Sequence, residues 1–402
     1  MSDSILPAAL RRRRDYAGPA LFSYGFRPLF LGAAIWSAFG VILWLPQYFG
    51  EMALPTAFAA LDWHIHEMIF GYIAAVIAGF LLTAIPNWTG RLPVNGYSLA
   101  GLVALWLAGR IAIAISAVIG AGLAAVIDIS FLAVLTAVSF REIFAGRNWR
   151  NLRVLSILSV LVLANIVFHV ESIWLGAAYY GLRLSIAAVV LLITLIGGRI
   201  VPSFTHNWLM RNNPGRLPRS FGRFDMAALA AGAVALLTWV AAPDRGAAGV
   251  LLLIGGLFHA VRLARWAGNR TFGEGLVLVL HIAYGFVPFG FVMLGLAILW
   301  PSQWPLSAGL HAWMTGAVGL MTLAVMTRAS LGHTGRALTA SVPTQLIYLA
   351  ALVAAIARIA AAFAPSIALL HVAAGAWSVA FIAFAVAYGP ALFGTPLQRS
   401  VG

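Results

Sequence analysis

The stretch "DWHIHEMIFGYIAAVIAGFLLTAIPNWTGR", residues 62–91, decides the fold. Its head crowds Asp62, His64, His66 and Glu67 together, and a nearly unbroken apolar run follows. About 20 apolar residues in helical conformation match the hydrocarbon thickness of a bilayer. The stretch therefore reads as a transmembrane helix with a polar entrance. The whole chain has the same character, with 402 residues that are 62% hydrophobic and only 9% charged. Its mean hydropathy is +0.96. Soluble domains carry about 25% charged residues, so the composition predicts an all-α polytopic membrane protein. There is no cysteine, which excludes disulfides, thiolate metal sites, iron–sulfur clusters and thiol nucleophiles. Any metal must use His, Met, carboxylate or backbone ligands.

Apolar stretches bounded by polar residues, Pro or Gly predict twelve transmembrane helices, at 26–47, 62–87, 97–118, 122–143, 152–174, 178–203, 225–242, 246–266, 276–299, 306–331, 343–364 and 367–391. All 25 basic residues are arginine, and their positions test the count. Arg11–Arg14 precede the first span, Arg91 follows the second, and Arg141, Arg147, Arg150 and Arg153 lie around the fourth-to-fifth connection. Arg211, Arg216, Arg219 and Arg223 follow the sixth span, Arg262, Arg265 and Arg270 the eighth, Arg336 the tenth, and Arg399 the twelfth. The opposite connections hold only Arg245. Cytoplasmic loops carry the excess of basic residues, so both termini are expected in the cytoplasm. The chain is expected to form one integral membrane domain over 1–402, with cytoplasmic tails at 1–24 and 392–402 and no cleaved signal peptide. A net charge of +14 could suggest nucleic acid, but arginines scattered over membrane loops set orientation instead, and no nucleic-acid partner is expected.

An internal echo links the second and tenth spans. "HEMIFGYIAAVIAGFLLTAIPNWTGR" (66–91) and "HAWMTGAVGLMTLAVMTRASLGHTGR" (311–336) both begin with His, place Gly sixth and close on Thr-Gly-Arg. The His-to-Arg separation is 25 residues in each, about 37 Å of helix, enough to cross the bilayer. "IVPSFTHNW" ends the sixth span much as "AIPNWTG" ends the second. Three units of four helices are the simplest account, with spans 2, 6 and 10 equivalent.

Ionisable residues within membrane spans are costly and mark candidate sites. Five histidines, His64, His66, His169, His311 and His371, fall toward the outer ends of spans 2, 5, 10 and 12, together with Glu67 and Glu171. A single interfacial His is commonly an anchor, whereas five in one layer point to metal or haem ligation, since neutral imidazole ligates without importing charge. On a helix, positions i and i+2 diverge by about 200°. His64 and His66 would thus serve different centres. His66 matches His311 in the echo, and two facing imidazoles are the ligand set of a six-coordinate haem. His64 and His169 are the candidate ligands of a second metal, with Glu67 as a further ligand, an acceptor for His64 or a proton carrier. Arg183 lies at the same depth, suited to a haem propionate or to snorkelling at the interface. Arg110 is nearer mid-span, with Asp128 as a possible partner in span 4.

Several blocks together resemble the NnrS family: "FRPLFLGA" (26–33), "WHIHEMIFGYIAAVIAGFLLTAIPNWTGR" (63–91), "GGRIVPSFT" (197–205), "RLARW" (262–266), "LHIAYGF" (280–286) and "MTLAVMTRASLGHTGR" (321–336). The resemblance implies a bacterial inner-membrane protein containing haem, of b type, and copper, and associated with nitric-oxide metabolism and nitrosative stress. The twelve spans and the histidines of spans 2 and 10 also look like the core subunit of haem–copper oxidases and nitric-oxide reductases. The sequence departs from those by having one His in span 10 and a His-x-His in span 2. On this reading the protein is an oxidoreductase that reduces nitric oxide in the periplasmic half of the bundle, with membrane quinol as electron donor. A transporter or metal-handling protein, and a haem-nitrosyl sensor without turnover, are the rival expectations.

Overall fold

The computed structural model describes residues 16–395. The Arg11–Arg14 run, Arg399 and much of both expected tails lie outside the described residues. Within them, twelve helices are long and apolar enough to cross a membrane, and there is no strand. They are α1 Phe26–Tyr48, α2 Ala60–Thr89, α3 Gly96–Ala114, α4 Ala121–Ala145, α5 Trp149–Leu175, α6 Tyr180–Asn212, α7 Arg223–Ala241, α8 Gly246–Arg270, α9 Gly275–Leu299, α10 Leu306–His333, α11 Val342–Phe363 and α12 Ile367–Phe393. The protein is thus an all-α, multi-pass membrane protein. Its helices carry many exposed large apolar side chains, such as Phe39, Ile111, Val126 and Leu257, as a lipid-facing surface requires.

Most ends fall within a few residues of expectation. Span 3, expected to reach 118, stops at Ala114, and a separate turn follows at Ser116–Ile119. There Ser116 Oγ accepts the Ala57 N–H at 2.8 Å and donates to the Ile113 carbonyl at 2.9 Å, closing the helix end. Span 6, expected to end at 203, continues through Pro202 to Asn212.

The chain divides into two compact units. The first holds residues up to Gly181 with Ala329–Ala337 and the segment from Ala385, and the second holds Leu182–Arg328 with Leu338–Phe384. In the first, α1 packs on α2, α3 on α4, and α4 on both α2 and α5. In the second, α7, α8, α9, α10 and α11 pack in succession. Small residues bring α8 and α9 together, since a Cβ added to Gly295 would lie 2.9 Å from the Gly249 carbonyl oxygen.

The echo of spans 2 and 10 extends to the backbone. In α2 the α-helix runs to His66 and turns π-helical over Glu67–Ile73. In α10 it runs to His311 and turns π-helical over Ala312–Gly319. Such π stretches are rare and concentrate at functional sites. The same two helices also have the most buried apolar stretches, at 83% and 72% of an 18-residue segment, followed by α6 at 67%, against 33–56% for the other nine.

Candidate metal centre

Five helices of the first unit converge on one polar cluster. α2 brings His66 and Glu67, α3 brings Arg110, and α4 brings Asp128. α5 brings Asn165 and His169, four residues apart and so on one face, and α1 brings Trp36. His66 and Glu67 are fully buried, and Asp128, Arg110 and His169 are buried as well. A buried charge survives only when paired, and here the pairing is dense. Arg110 Nη1 donates to Glu67 Oε1 at 2.6 Å, and Arg110 Nη2 is in contact with Asp128 Oδ1. Trp36 Nε1 donates to Glu67 Oε2 at 2.7 Å, and Asn165 Nδ2 donates to Asp128 Oδ2 at 2.8 Å.

Gly71, within the π segment, makes this arrangement possible. A Cβ there would lie 2.7 Å from Trp36 Nε1, 2.8 Å from Arg110 Nη1 and 2.9 Å from Glu67 Oε2. The guanidinium and the indole occupy the space a side chain would take.

His66 Nε2, His169 Nε2 and Asp128 Oδ2 form a nearly equilateral triangle. The imidazole nitrogens are 3.3 Å apart, and lie 3.2 Å and 3.1 Å from the carboxylate oxygen. A tetrahedral ion with bonds of about 2.0 Å has ligand–ligand edges of about 3.3 Å, so the three atoms fit one face of such a coordination shell. The far side of His66 supports the same reading. Its Nδ1 is 3.0 Å from Glu67 Oε1; donation there leaves the lone pair of a neutral ring on Nε2, the tautomer a metal needs. That lone pair then faces a carboxylate oxygen, and either a proton or a metal ion must lie between them.

The electrostatic balance points the same way. Two buried carboxylates, Glu67 and Asp128, face one guanidinium, Arg110, leaving one negative charge for a cation or an imidazolium to offset. Phe58, Phe70 and Phe168 surround the imidazoles, with ring centroids 5.1–5.4 Å from that of His66. They give the cluster an apolar wall. Among the described residues, His66, Asp128 and His169 are the one group of three His and carboxylate side chains close enough to share an ion.

Of the residues expected from sequence, the structure brings His66, Glu67 and His169 together. Glu67 meets His66 at Nδ1. His64 turns elsewhere and stacks on Trp44 of α1, with centroids 4.2 Å apart and planes at 26°. His311 belongs to the second unit, where its Nδ1 donates to the Ser307 carbonyl at 2.7 Å. Arg183, also in the second unit, donates from Nε to the Val240 carbonyl at 3.3 Å. Glu171 accepts the N–H groups of Tyr179, Tyr180 and Gly181 at 2.8–2.9 Å and so caps the start of α6. Sequence reasoning pairs Arg110 with Asp128 but misses Asp128 as a ligand, and misses Asn165 and Trp36.

The family model described as NnrS protein matches residues 20–395, nearly the whole chain. The chain belongs to the NnrS family. Membership links it to nitric-oxide-related membrane proteins. A search of curated proteins returned no match.

Proposed function

We propose that this NnrS-family protein is a redox enzyme that reduces nitric oxide in the membrane, with a metal ion held by His66, His169 and Asp128. The observation that carries the reading is the buried triangle of two imidazole nitrogens and a carboxylate oxygen with edges of 3.1–3.3 Å. Copper fits this donor set, because imidazole suits it and a single carboxylate balances part of its charge. A copper ion held there by His66, His169 and Asp128 would supply a Lewis-acidic, one-electron centre for nitric oxide. Haem of b type would be the second group, and His311 is the residue proposed to hold it. Donation from its Nδ1 to Ser307 leaves the lone pair on Nε2, as iron ligation needs. We assign the small ion rather than haem to His66 Nε2 because Asp128 and His169 crowd that atom within 3.3 Å.

The chain's own groups then have separate tasks. Glu67 Oε1 holds the Nδ1 proton of His66 and fixes the ring's orientation. Arg110 clamps both carboxylates and fixes the distance between their helices. Phe58, Phe70 and Phe168 keep the imidazoles dry, and an apolar membrane bundle concentrates a gas that partitions into lipid. Conversion of two nitric oxide molecules to nitrous oxide and water consumes two electrons and two protons; membrane quinol is the proposed donor of both. The arginine distribution supports a periplasmic position for this end of α2 in the proposed bacterial inner membrane.

Purification followed by metal and haem analysis tests the reading, together with nitric-oxide consumption in the presence of a quinol. Copper should fall to background in His66→Ala and His169→Ala while haem remains. Protein without bound metal, or with variants that keep it, rules out the assigned site. Stoichiometric nitric-oxide binding without consumption would make the protein a sensor instead.

A further inference from the structure

A cavity of about 940 Å³ opens in the first unit, at the end of the molecule where α2 gives way to α3. Its volume falls within the roughly 300–1,000 Å³ of small-molecule pockets. Two sets of residues of opposite character line it. At the mouth, Arg91 and Arg141 flank Glu142: Arg91 Nε contacts Glu142 Oε2, and Arg141 Nη2 lies 2.8 Å from Glu142 Oε1. Both arginine side chains are substantially exposed, at 44% and 68%, while the carboxylate is 9% exposed. One acid between two cations leaves a net positive mouth with spare N–H donors. Arg147 follows α4, and Arg150 and Arg153 lie in the first residues of α5.

Below the mouth the cavity is apolar. Ser98, Gly101, Leu102 and Leu105 form one stripe of α3, and Val134 and Val138 face the cavity from α4. The α3 stripe covers seven residue steps, so the groove runs about 10 Å into the apolar part of the helix pair. Gly101 keeps it open, since a Cβ there would meet nothing within 4 Å.

We propose that this cavity is a binding site for an anionic phospholipid, with the phosphate on Arg91 and Arg141 and the first part of an acyl chain between α3 and α4. A soluble anion would leave the aliphatic stripes uncovered. A quinone is neutral and would leave the cationic excess unmatched. An anionic lipid satisfies both halves at once, and basic pockets between transmembrane helices bind such headgroups by the same combination. The site is separate from the metal centre and does not depend on that reading.

Native mass spectrometry of the full chain, released from detergent with equal phosphatidylglycerol and phosphatidylcholine, reads the occupancy directly. The unaltered protein should retain phosphatidylglycerol preferentially. Arg91→Gln with Arg141→Gln should weaken that retention by roughly ten- to thirtyfold, two basic contacts being removed. Gly101→Leu should also abolish it by filling the groove while leaving every charge in place. This second variant stands alone if the arginine pair is needed for folding. Equal retention of the zwitterionic lipid, retention that survives Gly101→Leu, or a quinol displacing the lipid from the unaltered protein overturns the proposal.

Discussion

Each unit buries a guanidinium beside carboxylate and imidazole, and the two clusters differ in how many carboxylates that guanidinium must serve. In the first, Arg110 faces Glu67 and Asp128. In the second, Arg262 faces Asp225 alone at 3.1 Å, with Arg265 as a second cation at 3.6 Å. The first cluster is left short of positive charge and the second is not. Hydrogen placement sharpens the contrast. Tyr284 accepts from Arg262 Nη1 at 3.0 Å, so its own proton goes to His259 Nδ1, also at 3.0 Å. That uses the only lone pair of a neutral His259, whose Nε2–H then faces Gly232, where a Cβ would lie 2.7 Å away. His259 has nothing left for a metal, whereas His66 and His169 turn Nε2 toward one carboxylate oxygen. A buried histidine beside an arginine and an aspartate can thus be a ligand or a strut, and the surplus of carboxylate tells them apart.

The comparison is most easily broken at the guanidiniums. Arg110→Gln strands two buried carboxylates and should cost about 3–5 kcal/mol of stability, the range for breaking a buried ion pair from one side. Thermal unfolding in detergent should show this loss, and added copper should recover part of it by supplying the missing positive charge. Unchanged stability, or no response to the metal, would mean that the charge deficit is not real. Arg262→Gln should cost less, about 2–3 kcal/mol, a loss typical of hydrogen bonds to a charged group. Asp225 keeps Arg265 and the Gly222 N–H at 3.0 Å. Metal content should stay at the level of the unaltered protein, and added copper should restore nothing.

The fold was legible in the sequence because the bilayer imposes one length on every span, and because the arginines mark alternate ends independently. The echo of His66 and His311 was legible too, though not the π segments just after both residues. The triangle was half legible. His66 and His169 share a depth, and depth can be counted along a helix. Asp128 lies seven residues into α4 and so falls in the same layer, yet it reads first as the partner of Arg110. Nothing in one sequence says that a carboxylate serves an arginine with one oxygen and two imidazoles with the other. That depends on the rotation of α4 about its axis. Rotation also decides His64, which shares its helix end with His66 but stacks on Trp44. Asn165 and Trp36 carry no charge and so give no signal within an apolar span.

At the next level, Glu67→Gln tests orientation rather than charge pairing. The amide keeps the volume and an acceptor oxygen, so folding should survive. Loss of the carboxylate behind His66 Nδ1 should lower copper affinity by roughly 10–100-fold, the usual effect of removing an acceptor behind a ligating histidine. Competition with a chelator of known strength measures it. An unchanged affinity would show that His66 does not depend on Glu67 for its tautomer.

The smallest effect belongs to Tyr284→Phe. The ring volume stays, and only the hydroxyl between Arg262 and His259 is lost. Arg262 retains Asp225 and the Thr194 carbonyl at 2.9 Å, so about 1 kcal/mol of stability should go, at the low end for a buried group deprived of its partner. The change at His259 is more informative than the stability loss. Freed of the tyrosine proton, its Nδ1 regains an available lone pair, yet among the described residues no group of three His or carboxylate ligands forms around it. Copper stoichiometry should therefore stay that of the unaltered protein. A second equivalent appearing in Tyr284→Phe would show that the tyrosine, and not the balance of carboxylates, keeps metal out of the second unit.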